Sequence, residues 1–434
     1  MTYEEALRYL TDLAPRGWRL GLDRMQEFAD RAGLSQFLGG LSGPSFIHVA
    51  GTNGKGSVTA FVQAMLLAAG HRTGAFFSPY VVDPRERVWF GNEMISEADF
   101  TRAIERLAPI AAGLDDTEFG GVTEFELKTA VGFEHWRLCD ADWVALEVGL
   151  GGRFDATNVV TPRASVVVSI GMDHVQILGD TLEKIAFEKA GIVKPGIPVV
   201  VGEMQDSARN VILELANAAG SPVWRFGKEI CLEAVSERAW RVDTPGSSVI
   251  LRPSLYGEIQ GHNAALAYAA MELSGAGGGQ DVADAAERAS LPGRFQRMEV
   301  RGREIILDGA HNSEAAENLC TTLRRFLAGR PDARVTMVTG MVSGHDPAHF
   351  YRSLQGLAVS VHLAPIDFHR AVPPAELKIA IGALFDELFA HESLEDAMDA
   401  AIASTGASDV ILVTGSFYLV GELIRLLQSA PTGR

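Results

Sequence analysis

Cysteine is scarce in this chain of 434 residues, which contains only Cys139, Cys231 and Cys320. The three lie far apart, and none belongs to a C-x-x-C pair. This scarcity argues against a disulfide framework and against a zinc site built from paired cysteines. We therefore expect a protein of the reducing cytoplasm.

Long apolar segments and an excess of positive charge are also lacking. The sequence contains no run of about 18 apolar residues, the length that spans a membrane, and the N-terminal stretch MTYEEALRYLTDLAPRG has no apolar signal core. The 38 basic and 55 acidic residues give a net charge of −17, which repels a phosphate backbone. The sequence therefore predicts small molecules as partners, and neither a membrane nor a nucleic acid.

Strand-like and helix-like segments alternate through most of the chain, as in α/β proteins with a mostly parallel sheet. At roughly 100–200 residues per domain, the length suggests two or three domains. A Pro-Gly turn in LPGRFQ, residues 291–296, follows two helical segments, and the alternation restarts after it. We predict a large α/β domain at residues 1–296 and a smaller, Rossmann-like α/β domain at residues 297–434.

The stretch IHVAGTNGKGS, residues 47–57, lies between a strand-like segment and the helix-like SVTAFVQAMLLAAG. Such a loop directs backbone N–H groups and the positive end of a helix at one point, where an anion binds. It departs from the common loop G-x-x-x-x-G-K-[ST], because Val49 replaces the first glycine and Gly56 follows Lys55. We predict a P-loop-type ATPase domain, with an ordinary glycine-rich turn as the alternative. The predicted nucleotide-binding residues are Gly51, Thr52, Asn53, Gly54, Lys55, Gly56 and Ser57.

Two polar residues of the first domain lie at the ends of strand-like segments. Glu147 ends DWVALE, and His174 follows ASVVVSI. Ligands of open α/β sheets collect at the carboxyl ends of the strands, so both residues are candidates to face the loop and a bound cation. The alternatives are an acid that faces water and a structural histidine. Lys189 lies late in a helix-like segment, where periodicity alone does not distinguish it from a solvated surface lysine.

A further polar cluster lies in the second domain, in the stretch ILDGAHNSEA, residues 306–315. Asp308 ends a strand-like segment, His311 follows it, and Asn312 is suited to cap the next helix. The cluster is either a contact to a nucleotide or substrate, or simply a capped turn.

The motifs occur in one order: HVAGTNGKGS, SP, RERV, LEVGLGGRFDATN, DH, LGDTLEKIAFEKAGI, HNAALA, LPGRFQ, LDGAHN and GSFYLVGE. In this order the chain resembles the folylpolyglutamate synthase and dihydrofolate synthase family, relatives of the Mur peptide ligases, from about residue 18 to residue 425. The resemblance implies a monomeric ligase that uses ATP and Mg²⁺. Such an enzyme activates a folate carboxylate as an acyl phosphate, joins L-glutamate to it, and releases ADP and phosphate.

The resemblance also implies roles for individual residues. Lys189 matches a lysine that family members carbamylate, which turns it into an oxygen donor for a second Mg²⁺. The implied catalytic residues are Lys55, Glu147, His174 and Lys189. The implied Mg²⁺ ligands are Ser57, Ser78, Glu147, His174 and Lys189. Beyond the loop, the implied ATP contacts are Asn263, Arg294, Asp308 and His311. The implied contacts to the pteridine-bearing substrate are Thr123, Phe125, Phe154, Asp155 and Tyr80.

Three positions depart from the family pattern. Tyr80 follows Ser-Pro where many members have histidine, and His345 lies where members often have lysine. Arg19 lies where some dual-activity members have an acid that touches dihydropteroate, which weakens the prediction of dihydrofolate synthase activity. Two other hypotheses remain: a Mur-type amide ligase for a different carboxylate, and a nucleotide-binding paralogue that has lost catalysis.

Overall fold

The computed structural model describes residues 1–16, 21–39, 43–344 and 346–429. They form two compact units, each of which is an α/β structure as predicted. The first unit comprises residues 1–80, 84–254 and 260–290. The second comprises residues 81–83, residues 255–259 and the chain from residue 291 onward.

The first unit is built on a large, mostly parallel sheet. Its strands are β1 (Ser45–Ala50), β2 (Thr73–Phe76), β3 (Val88–Phe90), β4 (Glu93–Met94), β5 (Trp143–Glu147), β6 (Ala164–Val167), β7 (Val199–Val201) and β8 (Val223–Arg225). They lie in the order β4-β3-β2-β5-β1-β6-β7-β8, and only the pairings of β3 are antiparallel. In β5 every residue from 144 to 147 is buried, so both faces of the strand are covered. This burial explains why the strands are continuous apolar runs instead of alternating patterns.

Three helices of the first unit begin at ordinary capping residues. Thr2, Ser96 and Thr123 each accept a hydrogen bond from a backbone N–H in the first turn of the helix that follows. The helices are α1 (Tyr3–Leu13), α2 (Asp23–Arg31), α3 (Ser35–Gly39), α4 (Lys55–Ala68), α5 (Glu97–Ala112), α6 (Glu124–Leu138), α7 (Val175–Leu178), α8 (Leu182–Lys189), α9 (Asp206–Ala218), α10 (Ile259–Ser274) and α11 (Gln280–Ala283). A small antiparallel sheet contains β9 (Cys231–Ser236), β10 (Ala239–Asp243) and β11 (Ser248–Leu251).

The second unit is a smaller sheet with helices on both faces, as in a Rossmann-like fold. Its strands are β12 (Gln296–Val300), β13 (Arg303–Leu307), β14 (Val335–Thr339), β15 (Ser360–Leu363), β16 (Leu388–Ala390) and β17 (Val410–Thr414). They lie in the order β12-β13-β17-β14-β15-β16, and all pairings except that of β12 are parallel. Its helices are α12 (Ser313–Leu327), α13 (Pro347–Leu354), α14 (Pro374–Ile381), α15 (Leu394–Ser404) and α16 (Phe417–Ser429).

Neighbouring residues of β13 belong to different apolar cores of the second unit. Ile306 packs with side chains of α12, α13 and α14. Ile305 and Leu307 pack with side chains of α15 and α16. Because successive side chains of a strand point to opposite faces, the two helix groups cover opposite faces of the sheet.

The boundary between the units differs from the predicted one at residues 296 and 297. Gln296 begins β12, so the second unit already includes it, and the two compact units divide at residue 291. The second unit also takes residues 81–83 and 255–259 from earlier in the chain. The Pro-Gly turn of residues 291–296 begins at this division, but it does not report the two earlier segments, which join the second unit through packing between distant parts of the chain.

Two of the absences noted in the sequence can be compared with the described part of the chain. No helix there combines the length and the apolar composition needed to cross a membrane. Cys139, Cys231 and Cys320 are free thiols.

Candidate active site

Four adjacent strands of the first unit bring the predicted residues to one edge of the sheet. In the order β2-β5-β1-β6, Ser78 follows β2, Glu147 ends β5, the loop 51–54 follows β1, and His174 follows β6. Because these strands are parallel, their carboxyl ends all lie at this edge. Residues that are more than a hundred positions apart in sequence are thus brought together by the fold, as is general for ligand sites of open α/β sheets.

The loop after β1 is fastened to the segment that follows β6. The backbone N–H of Thr52 donates to the Ser169 carbonyl at 2.9 Å, and the N–H of Asn53 donates to Ser169 Oγ at 3.0 Å. Gly54 caps α4 with φ +83°, a conformation that favours glycine. Glycine has no capping side chain, and an anion suits the N-terminus of a helix that begins in this way.

Asn263, an implied ATP contact on α10, lies directly against this loop. A Cβ atom placed on Gly54 would lie 2.7 Å from Asn263 Oδ1 and 2.9 Å from Val168 Cγ1. Asn263 is buried, and its Nδ2 donates to Gln260 Oε1 at 3.0 Å. The structure therefore brings Asn263 and the loop together and leaves no room for a side chain at Gly54.

Two lysines converge on one carbonyl of the loop. Lys55 Nζ donates to Gly51 O at 2.9 Å, and Lys189 Nζ donates to the same oxygen at 3.0 Å. Lys189 is only 3% exposed, unlike the surface lysine that its sequence context alone would suggest. Burial, together with the charge of Lys55, lowers the pKa of Lys189 to about 7, although Asp173 and Asp155 oppose the shift.

Glu147 and Ser78 are also brought together. The backbone N–H of Ser78 donates to Glu147 Oε2 at 2.9 Å, and Glu147 is only 2% exposed. His174 lies at the start of α7 in a left-handed conformation with φ +48°, and its side chain is 41% exposed. The imidazole is thus accessible, whereas the carboxylate of Glu147 is held inside the edge.

Asp173 is a residue of this site that sequence analysis missed. It is buried, and its Oδ1 accepts a hydrogen bond from the backbone N–H of His174 at 2.8 Å. Its charge also acts on Lys189. The pair Asp-His in GMDHVQ was the available signal, but a strand-end argument selects only the more versatile histidine.

The predicted metal ligands suit Mg²⁺ better than a transition metal. Within the ranges that the structure describes, no group of three or more His, Cys, Asp or Glu side chains is arranged to hold a metal ion. The predicted ligand set has one carboxylate, one imidazole and Lys189, and the hydroxyls of Ser57 and Ser78 supply further oxygen atoms. Mg²⁺ is commonly held by one or two carboxylates together with water and substrate phosphates, so these donors fit it.

Aromatic rings and cations form a second group near this edge. The guanidinium carbon of Arg87 lies 5.4 Å from the ring centres of both Tyr80 and Phe125, and Lys128 Nζ lies 5.2 Å from the centre of Tyr80. A Cβ atom on Gly149 would lie 2.3 Å from Phe125 Cζ, so the ring packs tightly on the turn after β5. Of these residues, only Tyr80 and Phe125 were expected from the sequence.

Lys128 is an unusual member of this aromatic group because it is a buried cation. Its side chain is 6% exposed and forms an ion pair with Glu124 one turn earlier in α6. Burial, together with the charge of Arg87, lowers the pKa of Lys128 to about 8. Helical periodicity in FELKTAVGF does not reveal this burial, because α6 is buried almost all round.

The remaining predicted substrate contacts have partners within their own segments. Thr123 is buried and caps α6 in a reciprocal arrangement with Glu126. Asp155 is 1% exposed, and both its oxygens accept hydrogen bonds from nearby residues. Phe154 is half-buried, and the guanidinium carbon of Arg153 lies 4.2 Å from its ring centre. Their contacts to a substrate stay predictions.

Arg24 forms a buried ion pair with Glu126 in the first turn of α6. Its Nε lies 2.8 Å from Glu126 Oε2, both side chains are less than a tenth exposed, and Glu126 also accepts from Thr123 N and Oγ1. Arg24→Ala would leave Glu126 as an unpaired buried charge, so we expect a loss of about 3–5 kcal/mol of stability. Urea unfolding followed by tryptophan fluorescence measures it, because all six tryptophans precede residue 290. The exposed pair of Arg102 with Asp99 supplies the control, since Arg102→Ala is expected to cost about 1 kcal/mol or less.

In the second unit, two of the predicted ATP contacts, Arg294 and His311, lie against Phe417, and a third is Asp308. The guanidinium carbon of Arg294 lies 4.3 Å from its ring centre, and the His311 ring lies 5.9 Å from it. Asp308 accepts hydrogen bonds from the backbone of Phe295 and Ala310 at 2.9 Å. Burial raises the pKa of Asp308, and the charge of Arg294 opposes that shift. Phe417 lies in the motif GSFYLVGE, from which the sequence predicted no contact to ATP.

Two residues at which the sequence departs from the family pattern, Arg19 and His345, lie outside the described residues. Neither their contacts nor the substrate preferences inferred from them are addressed by the structure.

Comparison with known proteins identifies relatives along the whole chain. Residues 293–417 match the family described as Mur ligase, glutamate ligase domain. The dihydrofolate synthase/folylpolyglutamate synthase of Bacillus subtilis is 33% identical over 438 residues, which cover 98% of this chain and 99% of that protein.

Solved structures agree with this similarity. The structure of E. coli FolC in complex with DHPP and ADP has a TM-score of 0.88 at 31% identity, and the match covers 99% of this chain and 98% of that one. A bifunctional folylpolyglutamate synthase/dihydrofolate synthase with Mn, AMPPNP and L-glutamate bound has a TM-score of 0.85 at 31% identity, with the same coverage.

Proposed function

Since the chain belongs to the folylpolyglutamate synthase and dihydrofolate synthase family, we propose that it forms folylpolyglutamates at the sheet edge of its first unit. It is an ATP-dependent ligase that joins L-glutamate to a folate. The observation that carries the choice of site is the convergence of Lys55 and Lys189 on Gly51 O, at the edge that also holds Glu147 and His174.

The reaction proceeds in two steps. A carboxylate oxygen of the folate attacks the γ-phosphorus of ATP, the bond to the β–γ bridging oxygen breaks, and ADP leaves. The amine of L-glutamate then attacks the acyl carbon and loses a proton, and phosphate leaves. Phosphoryl transfer of this kind depends on positioning and on neutralising charge, with little covalent work by the protein.

The phosphate loop supplies that positioning. The N–H groups at the start of α4 face the phosphates, and Lys55 neutralises their oxygens. Ser57, Ser78, Glu147 and His174 hold Mg²⁺, which when bound neutralises further phosphate charge. The contact of Ser78 N–H with Glu147 supports this assignment, because it fixes one predicted ligand against another.

Lys189 acts as a carbamate. The ammonium group first loses one proton, and the neutral amine then adds to CO₂. An N–C bond forms and a second proton is released, so that a buried cation becomes an anion with two oxygen donors. The position supports this proposal, because Lys189 and Lys55 share the Gly51 carbonyl and repel each other while both are charged. A carbamate replaces that repulsion with attraction and supplies an oxygen ligand for a second Mg²⁺.

The folate binds beside the aromatic group of Tyr80 and Phe125. Phe125 offers a ring face for stacking on the pteridine, and Thr123, Phe154 and Asp155 stay predicted contacts around it. In the second unit, Arg294, Asp308 and His311 stay predicted ATP contacts, as does Asn263 in the first. The monomeric state and the cytoplasmic location also stay predictions.

Mass spectrometry of the products tests the proposal. The purified protein is incubated with ATP, Mg²⁺ and L-glutamate, and with either tetrahydrofolate or dihydropteroate as the acceptor. We expect glutamate-dependent ADP release and tetrahydrofolate products heavier by one or more glutamyl residues, while dihydropteroate tests the second activity. No ADP release with any reduced folate or with dihydropteroate would contradict the proposal. Turnover of another carboxylate would then favour a different Mur-type ligase, and no turnover at all an inactive paralogue.

A further inference from the structure

A buried hydrogen-bonded chain connects the core of the sheet to the turn that follows Glu147. His48 lies in β1 and is fully buried, and its Nε2 is 2.9 Å from Thr157 Oγ1. Thr157 Oγ1 is in turn 2.5 Å from Asp155 Oδ1, which also accepts the N–H of Thr157 at 3.0 Å. The other oxygen of Asp155 accepts the N–H of Leu150 at 2.9 Å. His48 and Thr157, which have no assigned role, therefore form one connected unit with Asp155, a predicted substrate contact.

The direction of these hydrogen bonds follows from the donors available. Burial raises the pKa of Asp155, and hydrogen bonds from the Thr157 hydroxyl and from backbone N–H groups oppose that shift. Thr157 Oγ1 donates its single proton to Asp155 Oδ1, so His48 donates to Thr157 from Nε2. Burial lowers the pKa of His48 to about 3, so its ring is neutral and carries one N–H. This tautomer leaves a lone pair at Nδ1, the buried atom of His48 that has no partner within the described residues.

The hydrogen bonds of His48, Thr157 and Asp155 lead to a turn that is critical for the proposed reaction. Residues 148–155 directly follow Glu147, a proposed metal ligand, and close on Asp155 through the backbone N–H groups of Leu150 and Gly149. Gly149 is packed against the ring of Phe125 so closely that a Cβ atom there would lie 2.3 Å from Cζ. A small displacement of this turn would therefore move Glu147 and the ring face of Phe125 together.

We propose that His48 and Thr157 are positioning residues, which act through Asp155 to fix the turn 148–155 for folate binding; this inference rests on the proposed function. Both residues are fully buried. The phosphate loop is held separately, by the hydrogen bonds of Thr52 and Asn53 to Ser169. The two positioning residues therefore act on the folate side of the site and leave nucleotide binding as it is.

Matched substitutions test this separation in the full-length protein. Thr157→Val removes the hydroxyl at nearly constant shape, and His48→Leu removes the donor. We expect each to lower kcat/KM for tetrahydrofolate by about 10- to 100-fold, as for other residues that orient a site indirectly. Thr157→Ser keeps the hydroxyl and restores activity. The affinity for ADP without Mg²⁺, measured by calorimetry, stays as in the unsubstituted protein, and the double variant is no worse than the poorer single variant.

The control is Thr59→Val, which removes another buried hydroxyl, one without a hydrogen-bond partner in the described residues. Hydrogen–deuterium exchange gives a readout that does not need turnover. The amides of Gly149 and Leu150 should exchange faster in Thr157→Val and His48→Leu, but not in Thr157→Ser or Thr59→Val. Unchanged exchange, or equal losses of folate binding, ADP binding and melting temperature in all variants, would overturn the inference. An unsubstituted protein without glutamate-dependent turnover would contradict the proposed function instead, and the exchange comparison would still stand.

Discussion

Replacement of Lys189 by alanine is expected to lower kcat by about 100- to 1,000-fold, the effect of removing one charge-stabilising group from an active site. The substitution removes the proposed carbamate and with it an oxygen ligand for Mg²⁺. Glutamate-dependent ADP release measures the loss. Added short carboxylic acids, such as formate or acetate, should restore part of the activity, because they can place a carboxylate in the space that the side chain leaves.

Lys184 provides the control for this experiment. It lies on the same helix, α8, but its side chain is 62% exposed and pairs with Asp180 at 2.7 Å. Lys184→Ala should therefore keep normal activity and show no response to carboxylic acids. Full activity in Lys189→Ala would refute the carbamate role, and a loss without any rescue would leave the lysine as a cation and not as a carboxylate donor.

Gly54→Ala is expected to lower kcat/KM for ATP by about 100-fold, the effect of misplacing reacting groups by roughly 1 Å. The added Cβ atom would lie 2.7 Å from Asn263 Oδ1 and 2.9 Å from Val168 Cγ1, so the loop or Asn263 must move. Alanine in the left-handed conformation also lowers the stability of the folded state by about 1–2 kcal/mol. Steady-state kinetics with varied ATP, together with calorimetry of ADP binding, measure the effect.

Substitution of Gly70 distinguishes the close contact of an added Cβ atom from the conformational cost of alanine in the left-handed region. It lies just beyond the other end of α4 with φ +85°, almost the value of Gly54, but a Cβ atom there meets nothing within 4 Å. Gly70→Ala should lower thermal stability by the conformational term alone and leave the kinetics for ATP unchanged. If Gly54→Ala bound ADP normally, the close approach of Asn263 to the loop would have no part in nucleotide binding.

The features that the sequence predicted are those that depend on local pattern. The alternation of strands and helices gave the α/β architecture, and strand ends located Glu147, His174 and the loop before α4 at one edge, because parallel strands share that edge. The family resemblance singled out Lys189, for which periodicity offers no signal. Its contact with Gly51 O depends on the packing of α8, because the two residues are 138 positions apart in sequence.

The features that the sequence did not predict depend on packing between distant segments. Lys128 is buried because α6 is covered on nearly all sides, and a single lysine in a helical pattern does not report this. Asp173 is bound to its neighbour His174, yet an acid before a histidine has many possible roles. The joining of residues 81–83 and 255–259 to the second unit has no local signature at all.

That joining has a consequence for synthesis on the ribosome. Val82 O accepts a hydrogen bond from Arg425 Nη1 at 3.1 Å, across 343 residues of chain. Gly421 lies so close to the same segment that a Cβ atom there would be 1.8 Å from Val81 O. The first unit has all of its residues once the chain has emerged past residue 290. Residues 81–83, in contrast, cannot make their contacts with α16 until that helix has been synthesised. The second unit is therefore completed only after α16 has emerged, so its earliest segment in sequence is the last to be packed during domain-by-domain folding.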